Sequence, residues 1–100
     1  MKANRAPSME DLRARRDEIL KIAASHGASN VRVFGSVVRG QARPDSDVDF
    51  LVEFDPWRTV IDLSGLILDL EECVGRKVDV VGIRQPSRAA ERILREAVPL

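Results

Sequence analysis

The stretch from Val31 to Phe54, VRVFGSVVRGQARPDSDVDFLVEF, constrains this chain more than any other. Two short apolar runs, Val31–Phe34 and Phe50–Phe54, bracket a connection too rich in carboxylates to be an ordinary turn. The runs are β-branched and aromatic and are bounded by Gly, Pro and Asp, so they predict neighbouring strands. Gly35-Ser36 ends the first strand where the chain can turn and leave backbone N–H groups pointing outward. Asp47 and Asp49 are two apart, so on a strand their side chains share a face and can converge on one cation. An anion cradle facing a carboxylate pair implies a site for a metal-bound triphosphate.

The rest of the chain supplies elements to hold that stretch. Ser8 is placed to cap a helix over Met9–His26, with Glu10 and Asp11 in its first turn and Gly27 just past its end. Met9, Leu12, Ile19, Leu20 and Ala23 form its apolar face. Leu63, Leu66, Ile67, Leu70 and Val74 make a second helical stripe, predicting a helix over Thr59–Val74 closed by Gly75. A short strand follows at Val78–Val81, then a turn over Gly82–Pro86, and Ser87 can cap a third helix to about Ala97. The order helix, strand, loop, strand, helix, strand, helix predicts an α/β (α+β) fold, a small mixed β-sheet flanked by helices. The sheet is expected to be mixed because the connection between the first two strands has room for only one helical turn.

Composition sets the class. One hundred residues suit a single domain, residues 1–100, with 1–7 as a flexible tail. Hydrophobic residues at 44 % and charged residues at 32 % describe a soluble globular chain rather than a disordered one. A formal net charge of zero gives no bulk attraction to nucleic acid or anionic membrane. No apolar run approaches the roughly 20 residues that span a bilayer, and the N-terminus lacks a signal-peptide core. The lone Cys73 permits no internal disulfide, which fits the cytoplasm.

Each polar residue has a plain reading beside its functional one. Asp45-Ser46-Asp47-Val48-Asp49 opens like a calcium loop, but Phe50 stands where that loop needs Gly and Pro56 where it needs Glu. Asp79 interrupts an apolar strand; it either faces solvent by alternation or completes a triad with Asp47 and Asp49 if its strand lies beside theirs. Arg39 followed by Gly40 is either a surface turn or a guanidinium placed to clamp phosphate oxygens, and Ser36 either a turn former or a phosphate ligand. Glu53 shares the alternating face of Asp47 and Asp49 at its periphery. His26 is expected as a helix-terminal cation, and Cys73 as packing. Phe54 and Trp57 are left open between core edge and stacking surface.

Gly35-Ser36, ten intervening residues, Asp47-x-Asp49, Arg39-Gly40 in the gap and a later Asp79 together resemble the nucleotidyltransferase superfamily of DNA polymerase β. The short length and the GSVVRG…DSDVD wording look most like its minimal nucleotidyltransferase (MNT) branch. The resemblance covers Phe34 to about Val81 and implies the polymerase β-like fold. It implies that Asp47, Asp49 and Asp79 hold two magnesium ions and that Asp79 doubles as general base. It assigns Gly35, Ser36, Arg39 and Gly40 to phosphate binding, with ATP as substrate and pyrophosphate as product.

Members of this branch often pair with a HEPN-domain toxin, so the resemblance implies an antitoxin that moves AMP from ATP onto a tyrosine of that toxin. The chain contains no tyrosine and cannot be its own tyrosine substrate. Surplus apolar surface on the later helices is a candidate partner or self-association surface. Two alternatives stand beside this: a non-catalytic module that neutralises its partner by occlusion, and a nucleotidyltransferase for a small molecule or an RNA end. Four aromatics and zero net charge offer little for RNA.

Overall fold

The hydroxyl of Ser8 accepts a hydrogen bond from the backbone N–H of Asp11 at 3.1 Å and starts the first helix as expected. In the computed structural model, which describes residues 5–83 and 88–100, that helix does not run unbroken to His26. It is two helices, α1 (Met9–Ala14) and α2 (Arg16–Ser25), broken at Arg15 with φ −109° and ψ 18°. Every side chain from Arg13 to Glu18 is exposed, so between Leu12 and Ile19 no buried residue holds a continuous axis. Helices in proteins are stabilised mostly through their packed face, and here that face has a gap.

Strand β1 (Ala28–Phe34) starts three residues before the expected Val31. Its early part is irregular: Asn30 has φ 51°, and the register to the next strand shifts between Ser29 and Arg32. A bulge of this kind breaks the alternation from which a strand is read. A single 3-10 turn over Gly35–Val37 leads towards β2 (Val48–Phe54), matching the one helical turn expected there. Helix α3 (Val60–Val74) opens on a capping box in which Thr59 and Asp62 satisfy each other's backbone N–H, and it closes on Gly75 at φ 73°. Strand β3 (Val78–Ile83), helix α4 (Arg88–Glu96) and a two-residue strand β4 (Val98–Pro99) complete the described chain. The expected cap Ser87 and most of the turn before it lie outside the described residues. Strand β4 has no sequence signal; its Pro99 suits an edge strand, where a missing N–H costs nothing.

The sheet order is β3-β2-β1-β4. Strand β2 is antiparallel to β1 and parallel to β3, and β4 is antiparallel to β1, so the sheet is mixed as expected. Alternation sorts the sheet into two faces. Val33, Phe50 and Val80 share one face by register, and Val33 and Phe50 pack with Leu12, Ile19, Ala23, Leu66 and Leu70 of the helices as the main core. The other face carries Arg32, Phe34, Asp49, Leu51, Asp79 and Val81. Leu51 is only 1 % exposed, so this second face is covered at its centre too. Among the described residues no helix is long and apolar enough to cross a membrane.

Candidate active site

Asp49 is the middle of the second face. In the antiparallel pair its partner is Phe34, immediately before Gly35; in the parallel pair its partner is Asp79. The third strand therefore does lie beside the second, and directly paired residues of neighbouring strands point to the same side. Asp79 is exposed and Asp49 half-buried. Asp47 stands one residue before β2 begins, on an exposed loop.

That loop is held by a residue to which sequence reasoning gave no role. The Arg76 guanidinium donates to the backbone carbonyls of Pro44 at 3.0 Å and Ser46 at 3.4 Å. Within the loop, the Ser46 hydroxyl accepts from the Arg43 N–H at 2.7 Å, and the Val48 N–H donates to the Lys77 carbonyl at 3.1 Å. Arg76 thus fixes the segment carrying Asp45 and Asp47 against the start of β3. Asp45, Ser46, Asp47, Glu71, Arg76 and Lys77 line a 560 Å³ cavity on that side.

On the other side, Gly35 follows Phe34 with φ +81°, a conformation L side chains rarely adopt. A Cβ at Gly35 would lie 2.2 Å from Asp49 Oδ2, so glycine is what lets the carboxylate approach the turn. Gly35 and Asp49 line an 850 Å³ cavity with Phe34, Arg39 and, from α4, Arg92, Ile93, Arg95 and Glu96. Arg39 bonds to Gln41 Oε1 at 3.1 Å and is ion-paired with Glu96. Ser36 is half-buried in the 3-10 turn and its carbonyl accepts from the Gln41 N–H at 2.9 Å. Gly40, at φ +69° with open space around it, closes the turn. Gly35, Arg39 and Asp49 thus share one cavity, Asp47 lines the second, and Ser36, Gly40 and Asp79 line neither. Helix α4 brings three charged residues that the motif did not contain; the one sequence signal was the spacing of Arg88, Arg92 and Arg95, which puts them on one helical face.

Burial pushes the Asp49 carboxyl above the usual aspartate range, and the neighbouring Asp79 and then Asp47 carboxylates push it further; Arg39 opposes them. Crowded carboxylates of this kind are what a divalent cation relieves. Among the described residues no three acidic, imidazole or thiol side chains close into a finished metal cage. The donor set is nevertheless all oxygen, and its mutual repulsion suits a hard cation such as magnesium rather than zinc.

The remaining polar residues lie elsewhere. His26 Nε2 is 2.6 Å from Asp69 Oδ2 and joins α2 to α3. The Cys73 thiol faces Glu18 at 3.5 Å, with burial and then that carboxylate raising its pKa, consistent with packing. Glu53 is exposed and accepts from the Asn30 amide at 3.2 Å. Phe54 packs over Gly82, whereas Trp57 is 73 % exposed and belongs to no core edge.

Comparison with known proteins identifies the family and the fold. The nucleotidyltransferase domain family matches residues 16–99. Protein adenylyltransferase MntA of Thermococcus cleftensis is 37 % identical over 91 residues, covering 82 % of this chain and 92 % of that protein. A solved structure described as a candidate minimal nucleotidyltransferase superposes with a TM-score of 0.82 at 52 % identity, over 94 % of this chain and 97 % of its own. A Shewanella oneidensis complex of a tri-AMPylated HEPN toxin with an MNT antitoxin shares the fold, with a TM-score of 0.66 at 18 % identity over 87 % and 69 % of the two chains.

Proposed function

The chain belongs to the nucleotidyltransferase domain family, and from that premise we propose that it moves AMP from ATP onto a hydroxyl of a partner protein, a tyrosine of a HEPN toxin, as an antitoxin. The observation that carries this is the register pairing of Asp49 with Asp79 beside a glycine turn that only glycine can make so close. The related MntA is named a protein adenylyltransferase, and the HEPN toxin of the Shewanella complex is named as AMPylated; both names support the choice of reaction and acceptor.

The residues divide the work by position. Asp47 and Asp49 would hold magnesium ions, with Asp79 completing the set. Magnesium when bound screens the triphosphate and favours departure of pyrophosphate. Gly35 and Ser36 offer N–H groups and a hydroxyl to phosphate oxygens at the turn, with Gly40 shaping its exit. Arg39 adds a guanidinium beside them. Asp79, exposed at the open side, accepts the proton of the attacking hydroxyl. The acceptor oxygen then bonds to the α-phosphorus as the bond to the β-phosphate oxygen breaks, and pyrophosphate leaves.

The test is transfer of label from α-labelled ATP, with magnesium, to a HEPN-domain partner and to the same partner with its acceptor tyrosine changed to phenylalanine. Label on the first and none on the second supports the proposal. Tight complex formation with no label on either overturns it in favour of an occluding binder. Label on added RNA or on small hydroxyl compounds instead overturns the choice of acceptor.

A further inference from the structure

The 850 Å³ cavity that holds Gly35 and Asp49 is closed on its far side by α4. Arg92 and Arg95 are three residues apart on that helix, so they share a face, and both line the cavity. Both are exposed, and among the described residues neither side chain makes a hydrogen bond or an ion pair. Arg39 differs, because Glu96 pairs with it. Three guanidiniums and two carboxylates therefore line the cavity, and after the Arg39–Glu96 pair two unmatched cations face one carboxylate, Asp49. The charge is graded, negative at the β2 end and positive at the α4 end.

We propose that Arg92 and Arg95 bind the β- and γ-phosphates of the nucleoside triphosphate, and so the pyrophosphate it releases. The inference rests on the nucleotidyltransferase assignment above. A polyphosphate suits this gradient: Asp49 would hold a divalent cation at one end, and two guanidiniums serve the phosphate tail with paired N–H donors. The volume is in the range of a small-molecule site. The wall is anchored rather than hanging free. Helix α4 runs straight into β4, which pairs with β1 through Val33 and Val98, and the Leu100 N–H donates to the Val31 carbonyl at 3.2 Å. The Arg39–Glu96 pair ties the helix to the Gly35 turn, so both phosphate-facing elements keep one spacing. Arg92 and Arg95 are thereby binding residues that discriminate triphosphate from monophosphate.

The experiment is calorimetric binding of ATP, AMP and pyrophosphate, each with magnesium, to wild type, Arg92→Ala/Arg95→Ala and Arg92→Lys/Arg95→Lys. Circular dichroism checks that α4 persists, which alanine favours. The double alanine variant is expected to bind ATP and pyrophosphate about tenfold more weakly, the loss expected for two solvent-accessible charge-assisted contacts, with AMP unchanged. The lysine variant recovers part of the loss. ATP affinity unchanged in the alanine variant overturns the proposal, and if the HEPN-domain partner then binds it less tightly, the two arginines belong to protein docking. Equal weakening of ATP and AMP overturns it in favour of a structural role. Failure of wild type to bind any nucleotide overturns the proposed AMP transfer itself, a different result from a wild type that binds and a variant that binds equally well.

Discussion

Gly35 and Asp49 approach so closely that a Cβ on the glycine would lie 2.2 Å from the aspartate Oδ2. Two elements of the motif, fourteen residues apart in sequence, are thus locked by the absence of a single methyl group. Gly35→Ala meets two penalties, a left-handed φ of +81° and displacement of the carboxylate. A stability loss of about 1–3 kcal/mol is expected from the backbone strain. Transfer activity is expected to fall about a hundredfold, because ångström-scale misplacement of a reacting group costs that much. Urea denaturation and initial rates on the same preparation separate the two effects.

Asp49 weakens the fold it sits in. Burial and the Asp79 and Asp47 charges raise its pKa above the ordinary 3.8, so the folded state binds this proton more tightly than the unfolded chain does. The sign follows: ionising Asp49 costs stability as pH rises from about the ordinary value through the raised one, and the full cost is present at neutral pH. Asp49→Asn is expected to melt higher than wild type at pH 7 and to lose that advantage below about pH 4, where both carry a neutral group. Thermal melts across that range check it; a variant less stable than wild type at pH 7 contradicts it.

Magnesium should relieve the same repulsion. Wild type is expected to gain about 1.4 kcal/mol of stability at a magnesium concentration ten times its dissociation constant. Asp47→Asn/Asp49→Asn is expected to show almost none. A calcium-free magnesium series followed by thermal shift distinguishes specific binding from ionic strength when sodium chloride is matched.

Arg76 acts at one remove, through the Pro44 and Ser46 carbonyls that position Asp47. Arg76→Ala is expected to leave the core intact, to cost about 1 kcal/mol for the lost hydrogen bonds, and to raise the magnesium concentration needed for half-maximal transfer. Faster amide hydrogen exchange at residues 45–48, with β1 and the core of β2 unaffected, is the accompanying signature.

What the sequence made legible follows from which interactions are local. Capping residues Ser8, Thr59 and Gly75 act within a turn of their own helices, so those ends are predicted well. The expectation that β3 lies beside β2 is met, and the register sets Asp79 opposite Asp49. Asp47, expected on the same strand face as Asp49, instead falls in the loop one residue before β2, where the alternation of a strand no longer fixes its direction. The break at Arg15 and the early start of β1 were not legible, because one depends on a missing packed face and the other on a bulge at Asn30. The two-residue β4 exists only through its pairing with β1, a tertiary fact. Of the charged residues around the site, Arg76 and Glu96 escaped notice because their partners are 32 and 57 residues away.

The most direct measurement is the initial rate of AMP transfer from α-labelled ATP by wild type and by Asp79→Asn, with magnesium-ATP binding measured on both. If Asp79, paired with Asp49 across the parallel strands, takes the acceptor proton, the rate falls about 10²- to 10⁴-fold, the usual contribution of general-base catalysis, while ATP binding stays within a small factor of wild type. A variant that transfers AMP at close to the wild-type rate contradicts the account and removes the Asp49–Asp79 pair from the chemistry.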